Sequence, residues 1–150
     1  MSLDYERMLA DPGEAGIFVR PRDGDALDQA AARLGLTRWT VDLAGVRTKE
    51  QLLAALADRL AFPEWFGHNW DALNDTLAEI AWEQPKGVVL TLQHCGELAR
   101  ADPEAFETAL EVLDSVAEGC YDEDIPFWVL IDGIDAEGFD LPVLGEDHEP

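Results

Sequence analysis

The sequence predicts an α/β layer architecture on a small, mainly parallel β-sheet packed with helices. Two observations carry this expectation. Short apolar, β-branched runs alternate along the chain with longer segments of helical periodicity, in the order strand, helix, strand, two helices, strand, helix, strand. Such alternation joins parallel strands by helical crossovers. The chain has 150 residues, 47% of them hydrophobic and five of them tryptophan, enough for one domain with a substantial core.

The elements follow in order. Residues 1–15 read as a loosely packed arm. "GIFVRP" (16–21) is a short apolar run closed by Pro, a strand. "DGDALDQAAARLGL" (23–36) sets Leu27, Ala30, Ala31 and Leu34 at helical spacing, with Gly35 as the stop. "RWTVDL" (38–43) alternates Trp39, Val41 and Leu43, as a strand does. In 48–62, Leu52, Leu53, Leu56 and Leu60 share a helical face and Thr48 is placed to cap it. Residues 69–83 form a second helix after a loop broken by Pro63 and Gly67. "KGVVLTLQH" (86–94) is a buried strand. In 102–120, Asp102 caps a long helix, Pro103 suits its first position and Gly119 ends it. "IPFWVLID" (125–132) is the last strand. The domain organisation expected is therefore an arm over 1–15, a single domain over 16–132 and an acidic tail over 133–150.

The charge is the outlying property. The formal net charge is −22. A field of that sign repels nucleic-acid phosphate and anionic lipid and favours a cationic partner or simple solubility. The cations are unevenly spread: no Lys or Arg lies between Arg59 and Lys86, and none follows Arg100. A cation-binding face is therefore expected from the later two-thirds of the chain. The two cysteines, Cys95 and Cys120, have neither zinc-site spacing nor the number for a disulfide framework. The N-terminus lacks a basic region followed by an apolar run, and no apolar run approaches the ~20 residues of a membrane span. A soluble, cytoplasmic protein with reduced thiols is expected, without a cofactor or metal.

The densest chemistry lies in "FPEWFGHNWDALNDTL" (62–77). Asn69 is placed to cap a helix whose buried stripe is Trp70, Leu73, Leu77, Ile80 and Ala81. Asp71, Asp75, Ala78 and Trp82 fall on another face. Asp71 in the first turn gains from the helix dipole. Asp75 gains less, and like charges four apart destabilise a helix by roughly 0.2–0.5 kcal/mol. Four readings fit these residues: a solvated acidic face; a divalent-metal site helped by His68 or Glu64; a carboxylate pair for acid–base hydrolysis; and a protein-binding face in which Trp65 and Phe66 anchor beside carboxylates that meet a cationic partner. His68 alone reads as a turn residue. His94 and Cys95 adjoin at a strand end, with no acidic partner evident for a triad. No Gly-rich phosphate loop is present, which leaves nucleotide binding unsupported.

This stretch resembles the signature of the barstar family, the intracellular inhibitors of barnase-type ribonucleases. The matching residues are Pro63, Glu64, Trp65, Phe66, Gly67, Asn69, Asp71, Ala72, Leu73 and Asp75. A diffuse likeness runs from about Arg38 to Leu130, and "SVAEGC" (115–120) resembles the end of the family's long helix. The resemblance implies a barstar-like layered fold, extended here by an N-terminal strand and helix. It also implies a non-enzymatic antitoxin or immunity role, in which the loop and following helix plug the cationic active site of a small ribonuclease. By position, Asp75 would be the central anchor, Asp71 its companion, Trp65 the loop aromatic over the cleft and Asn69 a polar contact. Phe66, Gly67 and Asn74 complete the loop–helix face, and Asp114 falls where the family carries another acidic contact. Asn74 and Trp65 differ from the best-known member, which has Trp and Tyr there. The alternative is a barstar-like interaction module whose basic partner is not a ribonuclease.

Overall fold

The computed structural model describes residues 5–11, 13, 15–21, 24–63, 67, 69–84, 86–134 and 141. Strands β1 (Ile17–Val19), β2 (Thr37–Asp42), β3 (Val88–Gln93) and β4 (Phe127–Ile131) form one sheet in the order β1-β4-β3-β2. Every pairing is parallel. Helices α1 (Tyr5–Leu9), α2 (Gly24–Leu34), α3 (Lys49–Arg59), α4 (Trp70–Trp82), α5 (Gly96–Ala101) and α6 (Pro103–Asp122) connect and cover it.

The order of the strands distributes the helices. The step from β1 to β2 crosses the sheet in one direction, and β2 to β3 to β4 returns in the other. Right-handed crossovers of opposite direction place their helices on opposite faces. Two cores follow. On one face Tyr5 and Leu9 of α1 and Leu27, Ala30 and Ala31 of α2 pack on Val89, Trp128 and Leu130. On the other, α3 to α6 pack on Val41, Leu90, Leu92, Phe127, Val129 and Ile131. The central strands β3 and β4 are buried on both faces and consist almost wholly of apolar residues, as buried parallel strands must. The N-terminal strand extends the sheet by pairing with β4.

Three elements depart from expectation. The segment read as a loose arm carries α1, whose Tyr5 and Leu9 are buried against α2. Arg33 Nε also donates to Glu6 across the two helices. Helix α5 is not anticipated by the sequence, because six residues are too few for a legible period. The long helix runs past Gly119 to Asp122. Cys120 is fully buried there, and its packing outweighs the glycine. The turn falls instead at Asp124, which takes a left-handed φ of 60°. The Asp124 N–H donates to Tyr121 O at 2.9 Å and the Ile125 N–H to Cys120 O at 2.8 Å, the paired bonds of a Schellman stop. Gly35 stops α2 in the same way, with φ 77° and Leu36 N–H donating to Ala31 O at 3.0 Å.

Candidate protein-binding face

Both caps expected for the helices of this face are in place. Thr48 Oγ1 accepts from the Gln51 N–H at 3.1 Å at the start of α3. Asn69 Oδ1 accepts from the Ala72 N–H at 2.7 Å at the start of α4. The Asn69 amide also reaches back to Gly67 O at 3.4 Å, so this side chain ties the exposed Gly67 to the helix. A Cβ at Gly67 would stand 3.0 Å from Asn69 Nδ2. Trp65 and Phe66, together with Glu64 and His68, lie outside the described residues.

Along α4 the buried stripe is Leu73, Thr76, Leu77 and Ala81, with Trp70 and Ile80 half-buried. Thr76, 3% exposed, is the member that hydrophobic periodicity missed. Asp71 and Asp75 are exposed on the opposite side, one helical turn apart. Among the described residues neither carboxylate has a hydrogen bond or an ion pair. Asn74 is half-buried on the flank of the same helix. Asp114 is exposed on α6, which packs against α4. It lines a groove of about 410 Å³ with Ile17, Glu107, Leu110, Glu111 and Leu141. Asp114 thus stands on the β1 flank of a neighbouring helix and outside the stripe of Asp71 and Asp75.

A second cluster was not visible in the sequence. The register that pairs Asp42 with Gln93 sets the carboxyl ends of β2 and β3 side by side. His94 Nδ1 lies 2.7 Å from Asp42 Oδ1. The hydrogen bond to Asp42 raises the His94 pKa, and the Ala44 N–H followed by His94 lowers that of Asp42. The acidic partner that His94 lacked in sequence is therefore present, but the neighbouring thiol is no nucleophile. Cys95 is buried, donates to Leu92 O at 3.3 Å and is pushed up to about 12 by burial. Cys120 is likewise buried and free, its pKa pushed up to about 11 by burial. Among the described residues no three His, Cys, Asp or Glu side chains converge as a metal site, and no helix is long and apolar enough to cross a membrane.

Fold and face together define a three-layer α/β protein with an exposed pair of carboxylates on α4. The profile of the family described as Barstar (barnase inhibitor) matches residues 36–132, and the chain belongs to the barstar family. No curated protein matches it. Among solved structures, it is similar to the ORC2 protein of Aeropyrum pernix in ADPNP–ADP complexes, with TM-score 0.57 and 15% identity. It is also similar to Drosophila ORC bound to DNA, with TM-score 0.54 and 16% identity. The matches cover 89% of this chain but only 39% and 36% of those chains. At such identities the likeness is one of fold alone.

Proposed function

We propose that this protein is a cytoplasmic, non-enzymatic inhibitor that binds the cationic active site of a small barnase-type ribonuclease. The observation that carries the reading is the pair Asp71 and Asp75: exposed, one turn apart, and without a cation among the described residues, in a member of the barstar family. A ribonuclease gathers Lys, Arg and His to hold phosphate. Two carboxylates on a rigid helix imitate that substrate, and a cation placed between them relieves their mutual repulsion. Asp75 is the central contact and Asp71 its companion. Trp65, Phe66, Gly67 and Asn69 form the loop side of the face, with Asn74 on the flank and Asp114 at the edge. The negative field accelerates encounter with a basic protein and makes it salt-dependent.

Titration of barnase with the full chain, following RNA cleavage, tests this reading. Stoichiometric loss of cleavage supports it. Binding without loss of cleavage indicates a barstar-like module that does not occlude the active site. Absence of both contradicts it.

A further inference from the structure

We propose that the binding face runs two helical turns beyond the carboxylate pair to Trp82, whose exposed indole takes a lysine or arginine side chain of the basic partner. This rests on the reading of α4 as the face that meets a basic protein. Trp82 and Tyr121 are the exposed large apolar side chains among the described residues, at 51% and 55%. Positions 71, 75, 78 and 82 follow a spacing of four, three and four, so Trp82 shares the outward stripe of Asp71 and Asp75. At 1.5 Å per residue it lies about 10 Å along the axis from Asp75.

The Trp82 side chain lies beside the Cys120 thiol of α6. With about half of its surface exposed, the indole offers π surface to a partner. Glu79, three residues before it on α4, and Glu83, the cap residue directly after it, are its acidic neighbours. Both are exposed, and neither is ion-paired among the described residues. The last turn of a helix favours cations, yet neither α4 nor α6 has a basic residue there. Lys86, four residues on, lies against Gly35. An exposed aromatic face with unneutralised carboxylates beside it on the helix fits a guanidinium or ammonium group. The chain makes the same kind of contact internally at the other end of α4, where Lys49 Nζ stands 5.3 Å from the Trp70 ring centroid.

The test is calorimetric titration of the full chain with a hexa-arginine peptide at about 0.15 M salt, where long-range attraction is screened. The proteins compared are wild type, Trp82→Ala, Trp82→Met, Trp82→Phe and Asp75→Ala, each checked for native circular dichroism. The Trp82 changes leave net charge untouched, so the general field is the same in all of them. Trp82→Met keeps apolar bulk and removes the π face, which guards against a fold defect in the Ala variant. The expected result is affinity lower by about fivefold in Trp82→Ala and Trp82→Met, and a smaller loss in Trp82→Phe. Unchanged affinity in folded Trp82→Ala and Trp82→Met overturns the proposal. Loss at Asp75 with none at Trp82 overturns this extension and leaves the carboxylate pair standing; loss at Trp82 with none at Asp75 does the reverse.

Discussion

Lys49 Nζ stands 5.3 Å above the ring of Trp70, one residue before Asp71, yet makes no ion pair with that aspartate. A cation near the start of the acidic stripe is thus engaged with an indole. Asp71 and Asp75 keep their charge without a partner among the described residues. Stability alone does not account for such an arrangement, and that makes the following expectations specific.

Replacing Asp75 by lysine should stabilise the free protein while destroying its binding. The change removes a like-charge pair and gives Asp71 a favourable cation at i, i+4, a gain of roughly 0.4–1 kcal/mol from removing one term and adding the other. Thermal unfolding should show a small upward shift. A downward shift would mean that Asp75 has a structural partner.

Removing the α4 cap should do the opposite. Asn69→Ala takes away the acceptor of the Ala72 N–H, and lost caps cost about 1 kcal/mol. For a chain of this size that lowers the thermal midpoint by about 2–4 °C. Asn69→Asp, which keeps an acceptor, should recover most of the loss. Equal midpoints for Asn69→Ala and wild type would show that the cap contributes nothing.

The Asp42–His94 pair gives a pH signature. The folded pKa of His94 is raised, so its contribution to stability is complete below the ordinary histidine value of about 6.5 and fades as pH rises through the folded pKa. The folded pKa of Asp42 is lowered, so its contribution is present above the ordinary aspartate range and fades as pH falls through the folded value. The pair therefore acts in mildly acidic solution. An NMR titration should find His94 above its ordinary pKa in the wild type and back near it in Asp42→Asn. A His94 pKa indifferent to that substitution would deny the contact.

Both thiols should be inert in the native state. Cys95 and Cys120 are fully buried with pKa values pushed up to about 12 and 11, and thiolate is the reactive form. A thiol reagent at pH 8 should modify neither until denaturant is added. Trp82→Ala should speed modification of Cys120 over Cys95, because the indole lies beside the first and not the second. Rapid labelling of the native wild-type chain would contradict the packing.

These sites also show what the sequence could and could not reveal. Caps and stripes were legible because each depends on neighbours within a few residues, and the parallel sheet because strands and helices alternate along the chain. Thr48, Asn69 and Asp102 cap as their side-chain chemistry dictates, and Leu27, Leu53 and Leu73 are buried as their spacing requires. The misreadings come from tertiary contacts. Gly119 does not stop α6, because Cys120 is anchored in the core beyond it. Tyr5 and Leu9 form one short turn whose apolar side is defined only once α2 is present. Asp42 and His94 are 52 residues apart, and only strand register joins them. Of the candidate site, the stripe of Asp71 and Asp75 was readable from helical period. The position of Asp114 beside β1 was not, since an element outside the family match builds that flank.

The most direct test of the central claim is the affinity of barnase for the full chain and for Asp75→Ala, with Asp25→Ala on α2 as a control of identical charge change. Truncating one member of a close, desolvated charge pair costs about 2–5 kcal/mol, a range for which the family's own complex is a reference case. The account predicts tight binding by the wild type, a loss of roughly thirtyfold or more for Asp75→Ala, and near-wild-type affinity for Asp25→Ala. Equal affinities for the two variants would contradict it.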